Sequence, residues 1–317
     1  MSAPASVPSV SSPGRIGVVV NPTAGRGRGR SIGAQILQLL HAGGHDVTDL
    51  SGSAAAESAA RCAAAVASGL DTLVVVGGDG MVHLGANAVA GTDTALGVVA
   101  AGTGNDNARS LGLPLLDASG SAAVISAGAR RRIDAVRCRT PDGDRWYVGV
   151  LCGGFDAVVN ERANRLSWPR GPMRYNVAIA RELPVFKPLR YELELDGEPW
   201  VTEAMLVAVG NGPAYGGGMK ITPDAQYDDG LLDVLVVARL TVPRFLAVYP
   251  KVFSGKHIDH PAATVRRARR VRLSTPGIVA YADGERFGAL PLELEVVPGA
   301  LQVLVPAAAS ASPRSSP

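Results

Sequence analysis

The sequence is short of cysteine, of long apolar runs, of any surplus of one charge, and of the usual nucleotide-binding fingerprints. Its three cysteines, Cys62, Cys138 and Cys152, are scattered and show no C-x-x-C spacing. That excludes a disulfide framework and a cysteine zinc site, and it predicts a reducing, cytoplasmic compartment. No apolar stretch approaches the roughly 18 residues that a spanning helix needs, so no transmembrane segment is expected and any membrane contact should be peripheral. The stretch from Met1 to Ser9 has neither the basic nor the apolar region of a secretion signal. Lys and Arg number 31 against 28 Asp and Glu, a net charge of +3, and nothing in that balance calls for a nucleic acid partner. There is no G-x-G-x-x-G followed by the expected acid and no G-x-x-x-x-G-K-[ST], which disfavours the standard dinucleotide and P-loop sites.

What is present is ample apolar content, 47% over 317 residues, enough for two domains with real cores. Residues 1–13 and 306–317 are Ser, Pro and Ala tails expected to be disordered. From 14 to 133, strands and helices alternate: a strand over Arg15–Val20, a helix from Ser31 to His41, a strand from His45 to Leu50, a helix from Ala54 to Ser68, then two strand-turn-helix units and a helix over Ala118–Ala127. That order predicts an α/β domain with a doubly wound parallel sheet. From 134 to 305 the texture changes to short runs of period two, such as Leu189–Leu195 and Leu231–Val237, broken by turns like Asp196-Gly197 and Asp229-Gly230. These predict an antiparallel β-sandwich, interrupted by one helix near Tyr175–Leu183.

The first domain is organised around Thr72-Leu73-Val74-Val75-Val76-Gly77-Gly78-Asp79-Gly80. A β-branched run with no polar alternate reads as a strand buried on both faces. It stops at glycines that free the backbone, just before a helix predicted from Met81 to Val89, where N–H groups and a helix N-terminus converge as they do around phosphate. Taken alone, this would equally be a tight turn with a capping Asp. A second such turn, Ala101-Gly102-Thr103-Gly104-Asn105-Asp106, ends the strand Ala95–Ala100. A third, Asn21-Pro22-Thr23-Ala24-Gly25-Arg26-Gly27-Arg28-Gly29-Arg30, ends the first strand and adds arginines suited to an anion. Strands ending this way place all three turns on one sheet edge, where α/β folds bind ligands. Gly29-Arg30-Ser31-Ile32-Gly33 fits G-x-S-x-G, but no strand leads directly into that Ser, as a nucleophile elbow requires.

Together, N-P-T-A-G at 21–25, G-G-D-G at 77–80 and G-T-G-N-D at 102–106 resemble the diacylglycerol kinase catalytic family, which includes bacterial soluble lipid kinases and sphingosine and ceramide kinases. The likeness continues through Gly154-Phe155-Asp156-Ala157, the Asn211-Gly212 loop ending in Gly216-Gly217-Gly218, Pro223 to Asp233, and Asp283-Gly284-Glu285. The resemblance implies an ATP- and Mg²⁺-dependent lipid kinase, with diacylglycerol the favoured acceptor and a NAD kinase-like or sphingoid and ceramide-type kinase as alternatives. It implies ATP contacts at Asn21, Pro22, Thr23, Ala24, Gly25, Arg26, Gly77, Gly78, Asp79, Gly80 and Thr103, with Ser53 roughly where the family has a nucleotide-contacting Thr. Asp79 would act through Mg²⁺. Asp283 or Glu285 would be the general base, Asp283 being favoured. Asp229, with the carbonyls of Gln226 and Leu231, matches a structural magnesium loop. The lipid substrate implies work at a membrane surface, and a homodimer is left open.

The chain departs from the family at one turn, where Met81, His83 and Leu84 stand in place of the usual Thr, Asn and Glu. A nucleotide-binding regulator without turnover is therefore an alternative of another class. The basic run Val265–Arg272 suits anionic headgroups, but it reads better as the solvated side of a strand. His257 and His260, in a Pro-bounded loop, are expected at the surface.

Overall fold

Apolar runs that lack polar alternates become the inner strands of a parallel sheet, and the first unit of this chain is assembled from them. The structure, a computed structural model, describes residues 14–140, 143–166, 168 and 173–307; of the expected disordered tails, 1–13 and 306–317, all but residues 306 and 307 lie outside the described residues. By its internal contacts the chain forms two units, one built from the residues up to Arg132 together with those from Leu301 onward, the other Ile133–Ala300.

In the first unit the order is β1 (Arg15–Val20), α1 (Ala24–Ala42), β2 (Asp46–Asp49), α2 (Ala55–Ala67), β3 (Thr72–Gly77), α3 (Asp79–Val89), β4 (Ala95–Ala100), α4 (Asp106–Ser110) and α5 (Ala118–Ala127). The strands lie in the order β2-β1-β3-β4 and every pair is parallel. Every residue of β3 and β4 is buried, as expected of strands covered on both faces. On one face, Ile16, Val18, Val74, Val76, Ala95 and Val99 pack against Ile32, Ile36 and Leu40 of α1 and Ala118, Ala122 and Ile125 of α5. Asp117 caps α5 by accepting the Gly120 N–H at 2.9 Å, and Gly128 closes it in the left-handed conformation. The helix expected from Ser31 begins earlier, at Ala24, and Gly25, Arg26 and Gly27 interrupt it with positive φ.

In the second unit the elements are β5 (Arg130–Thr140), which starts in the first unit, β6 (Gly143–Tyr147), β7 (Val150–Gly154), α6 (Phe155–Arg165), α7 (Met173–Glu182), β8 (Leu189–Leu195), β9 (Glu198–Ala204), β10 (Leu206–Gly210), β11 (Leu232–Val237), α8 (Val242–Val248), β12 (Ala263–Ala268), β13 (Arg270–Ser274), β14 (Val279–Ala282), β15 (Glu285–Ala289) and β16 (Leu292–Leu304). One antiparallel sheet runs β12-β11-β10-β7-β14-β15, another β16-β13-β8-β9. Residues of both meet in one core that includes Tyr147, Leu151, Tyr191, Val207, Val234, Leu273 and Phe287. At the end of β16, Gln302 and Val303 pair in parallel with Ala95 and Leu96 of β4.

Two Asp-Gly turns fold this unit. Asp196-Gly197 joins β8 to β9 and Asp283-Gly284 joins β14 to β15, all four residues with positive φ, the geometry that fits the twist of a two-residue hairpin. The basic run is dispersed by register. Arg272 lies opposite Glu194 and Glu293, and Arg270 opposite Glu295. Arg266 stacks over the Trp200 ring at 4.1 Å, and Arg267 turns to Asp233 and Asp229. His257, expected at the surface, is buried, with Nε2 at 3.1 Å from the Ile221 carbonyl.

At the start of α6, Asp156 sits against the Tyr215 hydroxyl and receives the Asn160 amide at 3.0 Å. Burial pushes its carboxyl up to about 6, although those two hydrogen bonds pull the other way.

Phe287 packs edge-on to Tyr147 with centroids 5.7 Å apart. Phe287→Ala should lower the stability of the second unit by about 3–5 kcal/mol, read from urea unfolding; a loss under about 1 kcal/mol would show that the core closes around the gap. For Asp156 the sign follows from a folded pKa above the unfolded one. The folded chain holds a proton that the unfolded chain releases, so this residue costs nothing at acid pH and destabilises increasingly from about pH 4 to about 6. The melting temperature of Asp156→Asn relative to the parent should therefore rise across that window, and a flat difference would mean that the carboxyl titrates normally.

Candidate functional site

The site in the first unit is a junction of three strand ends. The Gly77 carbonyl accepts N–H groups from Ala101 at 2.8 Å and Gly102 at 3.1 Å, and the Asn21 N–H donates to the Val76 carbonyl at 2.9 Å. A Cβ on Gly102 would stand 2.5 Å from the Gly78 Cα, and one on Gly25 2.1 Å from the Ala101 carbonyl oxygen. Only glycine permits these approaches, which is why glycine stands at these points of the turns that follow the strands. Gly25 also has φ +57°, and Arg26 and Gly27 continue in the left-handed region. The Gly27 N–H closes this turn on the Thr23 carbonyl at 3.2 Å. Arg26, Arg28 and Arg30 are exposed around it.

Side chains fasten the junction. Asn105, buried and left-handed, accepts the Gly102 N–H at 2.9 Å and donates to the Gly102 carbonyl at 3.1 Å. Asn21 Oδ1 accepts the Thr23 N–H at 3.0 Å and its hydroxyl at 2.8 Å. Asp79 opens α3, and its Oδ1 accepts the Asn107 N–H at 3.0 Å and its amide at 3.3 Å. Its Oδ2 has no protein partner among the described residues. A half-buried carboxylate held by one oxygen and open at the other fits a hard cation that draws its remaining ligands from phosphate and water. Thr103 is exposed beside this edge, and Met81 is buried, its side chain lying where a Cβ on Gly77 would be. Ser53 is engaged elsewhere: its N–H and hydroxyl both donate to Glu57 Oε2 at 2.7 Å, ahead of α2. The Ser53 hydrogen bonds, then the Arg61 charge, hold the Glu57 carboxyl below its usual range.

In the second unit, Asp283 is buried and ties down three N–H groups: Val148 on Oδ2 at 3.0 Å, Gly149 and Val150 on Oδ1 at 2.9 and 3.3 Å. Glu285, two residues on, is exposed and has no partner among the described residues. Asn211 donates to the carbonyls of Asp134 at 3.1 Å and Val148 at 2.7 Å. Asp134 accepts the N–H groups of Gly230 and Gly299, both at 2.8 Å. Burial raises its carboxyl, and the charges of Asp229 and Asp228 add to that.

The Asp229 loop does not fit a metal as it stands. The carboxylate accepts the Leu231 N–H at 3.0 Å and pairs with Arg267, whose Nε reaches Asp233 at 2.8 Å. A cation at Asp229, Gln226 and Leu231 would compete with that guanidinium for the same oxygens. Among the described residues no group of three or more His, Cys, Asp and Glu could hold an ion.

Two polar contacts were not foreseen from the residues. Asn107 positions Asp79, and its only signal was the run Asn105-Asp106-Asn107. Asp156 was legible as part of a motif, yet nothing local shows that it is buried.

Comparison with known proteins bears on the family and the fold. The diacylglycerol kinase catalytic domain family matches residues 15–138, and the YegS C-terminal NAD kinase beta sandwich-like domain matches 149–305. A diacylglycerol kinase of Mycobacterium tuberculosis is 40% identical over 296 residues, 92% of this chain and 96% of that protein. One of Bacillus subtilis is 27% identical over the same shares. The crystal structure of a diacylglycerol kinase from Bacillus anthracis superposes with a TM-score of 0.68 at 21% identity, covering 94% of this chain and 98% of that one, a likeness of fold. On the extent and identity of the match to the mycobacterial protein, this chain belongs to the diacylglycerol kinase family of phosphotransferases with an alcohol acceptor.

Proposed function

We propose that the chain is an ATP- and Mg²⁺-dependent lipid kinase that transfers the γ-phosphoryl group to the hydroxyl of diacylglycerol, giving phosphatidic acid, and that it works peripherally at the cytoplasmic face of a membrane. The observation that carries the reading is the junction of the three glycine turns around Asp79. Phosphoryl transfer demands N–H donors around the phosphates, a cation, and a carboxylate for the attacking hydroxyl, with little covalent chemistry besides. In this reading the Asn21–Arg26 turn, Gly77–Gly80 and Thr103 bind the nucleotide, the α3 N-terminus and neighbouring arginines favour its negative charge, and Asp79 Oδ2 holds Mg²⁺. Bound there, the ion would offset the charge that develops on the transferred group. Ser53, committed to Glu57, has no part in it.

For the base, the hydrogen bonds favour Glu285 over Asp283. A base needs an oxygen free to take the hydroxyl proton. Asp283 is buried and already accepts three backbone N–H groups, whereas Glu285, on the same turn, is exposed with no partner among the described residues; in this reading Asp283 positions the hairpin and Glu285 meets the acceptor. This reverses the preference drawn from the motif alone.

Incubation with γ-labelled ATP, Mg²⁺ and diacylglycerol should put label into the organic extract. Label in NADP would refute the lipid reading, and nucleotide binding with no product across diacylglycerol, ceramide and sphingoid alcohols would favour a regulator. Asp79→Asn should reduce kcat by about 10³-fold or more while the fold melts unchanged. Glu285→Gln should lower kcat by about 10²–10⁴-fold with the KM for ATP nearly constant, whereas Asp283→Asn should chiefly lower the melting temperature. The opposite pattern, with Glu285→Gln active and Asp283→Asn stable but dead, would return the base to Asp283.

A further inference from the structure

From Val234 to Ile258 the chain carries no Asp or Glu, while Arg239, Arg244, Lys251 and Lys256 all fall inside it. In a protein whose charges nearly balance, this is a local polarisation, and the structure gives it a shape. It comprises α8 and the 3₁₀ turn Tyr249–Ser254 that follows without a break. None of the seven residues of α8 is buried. Its anchoring side is aromatic: Phe245 stacks on Tyr249 at 5.6 Å and meets Phe155 edge-on at 5.5 Å. The other side is left bare. Val242, Leu246 and Phe253 are 36%, 59% and 49% exposed; Val242 and Leu246, four apart, share one side of α8, and Phe253, edge-on to Tyr249 at 6.2 Å, leaves the rest of its ring in the open. Arg239, Arg244, Lys251 and Lys256 are exposed, and none joins an ion pair among the described residues. The contrast with Val265–Arg272 is direct, because there Arg267, Arg270 and Arg272 lie opposite carboxylates and Arg266 over a ring.

We infer that α8 and the adjoining 3₁₀ turn are the surface by which this chain docks on an anionic lipid bilayer. Val242, Leu246 and Phe253 enter the boundary between headgroups and acyl chains, and the four basic residues lie against the headgroups. An apolar ridge bordered by Lys and Arg and free of acids is the pattern of a segment that lies in the plane of the interface. A second copy of the chain fits worse, since a twofold contact sets this patch against itself and brings like charges together. The inference rests on the lipid kinase reading for its purpose, but the surface can be tested apart from it. Each basic residue near an anionic surface is worth roughly a fivefold gain in partitioning.

The test is sedimentation of the full chain with vesicles of phosphatidylglycerol and phosphatidylcholine, against vesicles of phosphatidylcholine alone. The parent should sediment with the anionic vesicles only. Leu246→Glu with Phe253→Glu, and separately Arg244→Glu with Lys251→Glu, should each lose tenfold or more in partitioning at an unchanged melting temperature. Phosphorylation of long-chain diacylglycerol in the same vesicles should fall in parallel, while that of a short-chain soluble diacylglycerol holds. If no diacylglycerol is phosphorylated by any form, the kinase reading fails and the vesicle result still decides the docking. Variants that sediment like the parent, a parent that ignores headgroup charge, or a Leu246→Glu change that splits a dimer without altering vesicle binding would each overturn the proposal.

Discussion

The first unit depends on one backbone contact, the Gly77 carbonyl accepting two N–H groups from the turn that ends the neighbouring strand. It fixes how far β3 and β4 extend before each turns into its helix, and it brings Gly78 and Gly102 closer than any side chain would allow. The polar residues of this edge are placed by that junction. Asn105 hooks Gly102, and α4 then begins where the Asn107 N–H can hold Asp79. These groups are held by the fold itself, and groups fixed in advance stabilise charge without reorganising. Met81 fits the same account: in a position packed against Gly77, an apolar side chain fills space where a hydroxyl would have offered a contact.

The second unit is held at its turns by carboxylates that accept backbone N–H groups from other segments. Asp134 takes Gly230 and Gly299, Asp196 takes Arg269 and Arg270, and Asp283 takes Val148, Gly149 and Val150. Buried N–H groups must find acceptors, and an Asp at a hairpin corner reaches out to supply one. Asp196 and Asp283 are therefore alike in backbone conformation and in task, although only one lies in a motif that invites a catalytic reading. Backbone N–H groups take at least three of the roughly four lone-pair sites of the Asp283 carboxylate, while Glu285 has no such partner among the described residues. The exposed neighbour on the turn is the freer group.

How much of this could be read from residues follows the range of the interactions. Uninterrupted apolar runs placed β1 and β4 to the residue, because a strand buried on both faces is a local statement about composition. The start of α1 was misplaced because Gly25, Gly27 and Gly29 look like a loop, whereas the helix starts early and absorbs a left-handed kink. β9 and β12 gave no clear period: β9 carries Pro199 and mostly exposed side chains, and β12 is the edge strand of its sheet, exposed along most of its length. The three glycine turns of the candidate site were legible because sheet topology alone puts strand ends on one edge. The partners of Asp283, Asp229 and Ser53 were not, since each was decided by a hydrogen bond or ion pair that no motif encodes.

The same distinction governs the charges. Five arginines between Arg266 and Arg272 form the densest basic stretch in the chain, yet strand pairing sets a glutamate beside Arg270 and Arg272, and folding brings Asp229 and Asp233 to Arg267. Charge density along a sequence says little about the field outside a protein when the next strand carries the opposite sign at the same register. Four basic residues spread between Arg239 and Lys256 are sparser, but the segment holding them contains no acid and none of them is paired off by an acid from elsewhere among the described residues. Their charge is left outside the fold, on a segment whose apolar side chains are left outside with it. That coincidence of unspent charge and unspent apolar surface distinguishes a face that meets something else from one that only meets water.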